Sequence, residues 1–229
     1  MLESFMMKAR QTFTLLVFTL MVMFILGACS PLLEFAGVNS KDNANVPFFM
    51  DDFSDHQNGW KLTIQEEGIV QYDGDAIRML IKNPGTELWS MPGLVINDSS
   101  INVDAEKISG PDNNLFGIIC RYKDADNFYA FLVSSDGYYA IVKNIGGERK
   151  ILSSDSFEPS GFIQKGASNN HLRADCVDKT LTMYVNWEKV DEVADIDLSS
   201  GDVGIISGTF NEPGTDIKFD NFIVIETNK

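Results

Sequence analysis

Arg121, Tyr129, Phe131, Tyr139 and Lys143 bring two cations and three aromatic rings into one short stretch of the chain. Aromatic rings stack on the apolar faces of sugars, while guanidinium and ammonium groups donate to hydroxyls or acids. The set is therefore a candidate ligand-binding face, and Trp60 and Trp89 are further stacking candidates. The carboxylates offer a different chemistry. Glycoside hydrolysis needs two acids about 5 to 9.5 Å apart across the scissile bond. Asp104 with Glu106 and Asp195 with Asp197 alternate, which is the nearest approach to that pattern. The first pair follows Ile101 and Val103 and reads as the solvent face of a strand; the second lies in a loop-like segment beside Asp191 and Glu192. The sequence has no His-Glu-x-x-His, Gly-x-Ser-x-Gly, phosphate-binding glycine loop or Cys-x-x-Cys. No acidic run satisfies an EF-hand loop, because the glycine position fails around Asp124 and Asp126. His56 and His171 have no nucleophile nearby in sequence and read as surface or loop residues.

The elements that must carry these residues have a period of two, the signature of strands. Between Leu172 and Val185, Asp178-Lys179 reads as a two-residue turn pairing Cys176 with Leu181 and Ala174 with Met183. Leu172, Ala174, Cys176, Leu181, Met183 and Val185 then share an inner face. Phe116–Tyr122, Phe128–Ser134 and Tyr138–Lys143 read as a three-stranded meander with polar turns. Loops of five and three residues place Arg121 opposite Tyr129, Tyr129 opposite Lys143 and Phe131 opposite Ile141. Phe116, Ile118, Cys120, Tyr122, Phe128, Ala130, Leu132, Ala140 and Val142 become the core, because an even loop would put a charge inside. In Ile217–Ile225 both alternate sets are largely apolar, as in a strand covered on both faces. No long helical period follows the first 28 residues. The expected fold is all-β, a two-sheet antiparallel sandwich with one sheet carrying the meander.

The chain has 229 residues, 33 acidic against 18 basic, and a formal net charge of −15. Such a balance argues against nucleic acid and against loose adsorption to anionic lipid, since both need clustered cations. Three cysteines are too few for a disulfide scaffold, and two histidines are few for a histidine-rich metal site. Residues 1–28 differ from the rest: Lys8 and Arg10 precede the apolar run Thr12–Leu26, which is short of the ~20 residues of a membrane-spanning helix. That is the form of a signal peptide. Leu26-Gly27-Ala28-Cys29 resembles the bacterial lipobox, and the resemblance implies a lipoprotein. Cys29 would be acylated and become the first mature residue, anchored by its acyl (palmitate-type) chains on the extracytoplasmic face of a bacterial cell membrane. Loss of residues 1–28 removes Glu3, Lys8 and Arg10, leaving 32 acidic and 16 basic side chains. Residues 29–47 read as a tether and 48–229 as one domain.

Asp51-Asp52-Phe53-Ser54-Asp55 with Gly59-Trp60, and Gly201-Asp202-Val203-Gly204-Ile205 followed by Phe219-Asp220-Asn221-Phe222, resemble the first and last strands of bacterial secreted concanavalin A-like (LamG-like) jelly-roll domains. Arg121-Tyr122, Asn127-Phe128-Tyr129 and Asp136-Gly137-Tyr138-Tyr139 are similar to their central strands. Leu181-Thr182-Met183-Tyr184-Val185-Asn186 is similar too, although such domains often have Gly where this chain has Trp187. The likeness spans about residues 50 to 227. It implies a jelly roll whose concave sheet carries a glycan, here on Arg121, Tyr129, Phe131, Tyr139 and Lys143. Its acid run, Glu-x-Asp-x-x-Glu, is missing, so the expected role is noncatalytic carbohydrate binding, with glycoside hydrolase and structural spacer as alternatives. No cofactor is expected beyond structural calcium, for which Asp51, Asp52 and Asp220 near the two paired chain ends are the candidates. Cys120 and Cys176, both inward and extracytoplasmic, are compatible with a disulfide and also with two buried thiols.

Overall fold

Segments in which apolar residues recur at every second position fold into strands, because a pleated ribbon can then bury one face. The structure, a computed structural model, describes residues 47–227. The expected signal segment, Cys29 and all but the last residue of the tether lie outside the described residues. In chain order the strands are β1 (Phe49–Asp51), β2 (Thr63–Ile64), β3 (Gly68–Tyr72), β4 (Ile77–Ile81), β5 (Glu87–Ser90), β6 (Ser99–Ser109), β7 (Asn114–Asp124), β8 (Asn127–Val133), β9 (Tyr138–Ile145), β10 (Glu148–Ile151), β11 (Glu158–Pro159), β12 (Asn169–Val177), β13 (Thr180–Val185), β14 (Glu188–Ala194), β15 (Asp202–Thr209) and β16 (Thr215–Glu226). A nine-stranded sheet runs β14-β13-β12-β6-β16-β4-β3-β2 with β1 paired to β16, and a seven-stranded sheet runs β10-β9-β8-β7-β15-β5 with β11 paired to β9. The two antiparallel sheets form a jelly-roll sandwich.

The core between the sheets holds Phe53, Trp60, Ile101, Phe116, Phe131, Phe219 and Phe222 among its buried side chains. Each large apolar side chain removed from water contributes roughly 1.5–3 kcal/mol. The β12–β13 hairpin has the expected register, Leu172 opposite Val185 and Cys176 opposite Leu181, and its six inner residues are buried. Cys120 of β7 and Cys176 of β12 are joined by a disulfide that stitches one sheet to the other through this core.

Two bulges change the side-chain phase that simple alternation predicts. In β16 the register shifts between Asp220 and Ile223, with Asn221 left-handed at φ 54°. Ile217 and Phe219 point inward before it, Phe222 and Val224 after it. The segment is thus apolar in both alternate sets because its phase inverts midway, and not because both faces are equally covered. In β7 the shift falls between Cys120 and Asp124, with Arg121 at φ 52°. Cys120, not Arg121, lies opposite Tyr129. Consequently Phe116, Ile118 and Cys120 share the inner face with Tyr129, Phe131 and Ile141, whereas Phe128, Ala130, Leu132, Ala140 and Val142 lie on the outer face with Leu115, Ile119 and Ile206. The expected single core set is divided between the two faces.

That outer face is aliphatic, with Trp89, Tyr122, Ile151, Phe157 and Phe210 packed against it. Arg149 of β10 reaches Glu87 of β5 with a two-pronged ion pair, its second nitrogen 2.7 Å from Oε2. These strands are opposite edges of the sheet path, five strand spacings apart, or about 24 Å if the sheet were flat. The sheet must therefore curl around its outer face for one side-chain pair to connect them.

Candidate functional site

The five residues proposed from sequence as a ligand face point inward. Tyr129 and Phe131 are buried between the sheets, and Tyr139 packs against the same core. β8 and β9 pair as expected, Tyr129 with Lys143 and Phe131 with Ile141; the shared face is the inner one. Their polar groups capture the chain's own crossover from β14 to β15. Tyr129 Oη donates to Asp195 Oδ1 at 2.5 Å and accepts the Leu198 N–H at 3.1 Å. Lys143 Nζ donates to Asp195 Oδ2 and Asp197 Oδ2, each at 2.5 Å. Arg121 is 1% exposed, and its guanidinium donates to the carbonyls of Asn97 (3.3 Å), Leu198 (2.9 Å) and Asp178 (2.8 Å) and to Asp98 Oδ1 (3.0 Å). A buried charge is tolerated here because it is paired.

The electrostatics agree with a structural strap. Burial, then the Asp195 carboxylate, push the Tyr129 hydroxyl up to about 12. Asp195 and Asp197 hold the Lys143 ammonium up at about 12. Burial opposes ionisation of Asp195, yet Lys143, Tyr129 and the Asp197 N–H together keep its carboxyl below the ordinary value. Both carboxylates of the Asp195/Asp197 pair are thus engaged by Lys143, and Asp195 by Tyr129 as well. Asp104, the other alternating acid, sits 2.7 Å from His171 Nδ1 and accepts from Asn221 Nδ2 at 3.0 Å.

The remaining sequence candidates are also placed differently. Trp60 is buried against Phe53 and Phe222, and its indole N–H donates to Asp51 Oδ2 at 2.7 Å. Trp89 packs on Phe128 at the margin of the outer face. Asp51 also accepts the Phe53 N–H, Asp52 caps Ser54, and Asp220 accepts the Asn221 N–H. These are loop-capping carboxylates, and among the described residues no three Asp, Glu, His or Cys side chains are grouped to hold a metal ion. Asp51, Asp52 and Asp220 therefore do not form such a group.

A site missed from sequence lies at one end of the sandwich. A cleft of about 450 Å³ is lined by Asn113, Ser134, Asp136, Tyr138, Ser156, Phe157, Phe210 and Asn211. Four connections meet there: β6–β7, β8–β9, β10–β11 and β15–β16. Phe157 and Phe210 meet edge to face with centroids 6.0 Å apart, and Tyr138 is 40% exposed. Buried Asn114, next to Asn113, ties two of these connections together, donating from Nδ2 to the Pro111 carbonyl (2.8 Å) and accepting the Ser135 N–H on Oδ1 (3.0 Å). Ser134 Oγ lies 2.5 Å from Asp136 Oδ1 and orients that carboxylate. The cleft combines ring faces with amide and carboxylate groups, the mixture that orients a polyhydroxylated ring. The only signal in the sequence was Asp136-Gly137-Tyr138, a turn with an aromatic.

The cleft lies far from the point where the chain enters. β1 pairs Phe49 with Val224, which in turn pairs with Ile101 near the start of β6. β6 ends at Ser109, beside the cleft, and at ~3.3 Å per residue the two levels are about 26 Å apart.

No protein-family model matches the sequence, and the comparison with curated proteins found no match. Solved structures do share the fold. Carbohydrate-binding module CBM66 from Bacillus subtilis superposes with a TM-score of 0.59 at 16% identity, covering 73% of this chain and 96% of that one. A protein of unknown function with a galectin-like fold from Bacillus subtilis gives 0.57 at 12% identity over 80% and 97%. A structure described as a native glycosidic hydrolase gives 0.59 at 10% identity over 81% and 97%. The described domain is thus a jelly-roll sandwich of the type found in carbohydrate-binding, galectin-like and glycosidase structures.

Proposed function

We propose that this protein is a noncatalytic carbohydrate-binding module, carried on the extracytoplasmic face of a bacterial membrane by a lipid on Cys29. The observation that carries the binding reading is the end cleft, where Tyr138, Phe157 and Phe210 share one wall system with Asn113, Asp136 and Asn211. Its ligand enters from the end of the sandwich, away from the chain's entry at β1. The commitment of both Asp195 and Asp197 to Lys143 supports a binding role over hydrolysis.

Affinity electrophoresis through gels containing soluble glucan, xylan, fructan or mannan tests this. At least one polysaccharide retards the wild-type protein, and Tyr138→Ala weakens that retardation about tenfold, the equivalent of ~1.4 kcal/mol. Unretarded migration in every gel would overturn the binding role, and release of reducing sugar would replace it with an enzyme. The anchor has its own test: Cys29→Ala or globomycin blocks processing and acylation, and unchanged processing with unchanged membrane retention would refute it.

A further inference from the structure

The two-residue connection between β13 and β14 is Asn186-Trp187, with φ of 51° and 74°. Both residues are left-handed, as in a type I′ hairpin turn, whose second position favours glycine. A bulky side chain there is a backbone outlier, and this one gains little from burial, because Trp187 is 76% exposed. The turn is held firmly nonetheless. Asn186 Oδ1 accepts the His171 N–H at 2.9 Å, and its Nδ2 donates to the Phe162 carbonyl at 2.7 Å. One face of the indole lies on His171, with centroids 3.9 Å apart and planes 18° from parallel, and Asp104 Oδ1 holds the imidazole at its Nδ1, 2.7 Å away. A rigid, strained turn thus presents an open indole face to solvent.

The neighbourhood leads back to the cleft. Phe162 is 50% exposed and belongs to the β11–β12 loop. That loop is bonded to the Tyr138 turn through Ser160 N to Gly137 O (2.9 Å) and Gly166 N to Ser135 O (2.8 Å). Tyr138, Phe162 and Trp187 therefore follow one another around the same end of the sandwich on three mutually braced loops. Flat exposed rings in series suit a ligand that is itself a series of rings with apolar faces.

We propose that Trp187, backed by His171, is a second stacking platform, and that this end of the protein reads an oligosaccharide chain at Tyr138, Phe162 and Trp187 instead of a single sugar. The proposal rests on the carbohydrate-binding reading and extends it. Using the full chain in mild detergent, the same polysaccharide gels compare wild type, Tyr138→Ala, Trp187→Gly and Trp187→Phe. Trp187→Gly suits the left-handed turn, so it folds with an unchanged or raised Tm, yet loses about tenfold in polysaccharide affinity; Trp187→Phe restores most of it. Wild-type retardation by Trp187→Gly, with Tyr138→Ala impaired, would overturn the platform and leave the cleft standing. Loss with Trp187→Gly alone would keep the platform and remove the cleft. Indifference to both substitutions would remove both.

Discussion

Replacing Arg121 with methionine removes the guanidinium from a site where it is 1% exposed and meets four carbonyls, those of Asn97, Leu198, Asp178 and Cys176, and the Asp98 carboxylate. The methionine fills much of the volume but donates nothing. Breaking a buried ion pair by deleting one partner costs about 3–5 kcal/mol, since the groups left behind are desolvated and unpaired. For a domain of this size each kcal/mol shifts Tm by roughly 2–4 °C, so Arg121→Met is expected to melt about 6–20 °C below wild type. Urea unfolding followed by tryptophan emission, with Trp60 as the buried reporter, measures the free energy directly. Arg121→Lys, which keeps a charge but cannot reach the Asn97, Leu198 and Asp178 carbonyls together, should fall between the two. A loss below about 1 kcal/mol for Arg121→Met, coupled to lost polysaccharide retardation, would refute the structural assignment and return Arg121 to the ligand.

The strap from β14 to β15 predicts a characteristic pH profile. Folding raises Tyr129 and Lys143 from 10.0 and 10.5 to about 12, so their contribution is full below pH ~10 and disappears as pH rises through 12; the lowered Asp195 carboxyl contributes above its ordinary value of 3.8 and loses that contribution as pH falls. Urea midpoints across pH should show the alkaline decline in wild type and a flatter limb in a Tyr129→Phe/Lys143→Met variant; an identical limb in both would refute the assignment. Cys120 and Cys176 are 56 residues apart, which places the stabilisation by their bridge near 4 kcal/mol in the loop-entropy account. Cys120→Ser/Cys176→Ser should melt well below the oxidised wild type, and equal melting would show that the bridge does not form.

What the sequence disclosed depended on whether alternation was interrupted. The β12–β13 hairpin was legible because Asp178-Lys179 gives a two-residue turn and nothing breaks the period on either side. The β8–β9 pairing was legible for the same reason. The face carrying Arg121 was misassigned because a left-handed arginine makes a bulge, and arginine, unlike glycine, carries no sign of it. Asn221 inverted the phase of β16 in the same silent way. One extra residue in a strand moves every later side chain to the opposite face. The end cleft was beyond any periodicity argument, because Asn113, Asp136, Phe157 and Phe210 come from four separate connections whose meeting depends on the complete topology.

The covalent stitch between β7 and β12 also governs how the molecule responds to peptidases. The exposed turn at Gly146-Gly147 and the exposed stretch Gly161-Phe162 both fall inside the loop that Cys120 and Cys176 close. A cut at either place severs the backbone without freeing a fragment. The nicked protein keeps its full mass on a nonreducing gel and comes apart only when the bridge is reduced, so under oxidising conditions damage to these loops leaves both sheets in place.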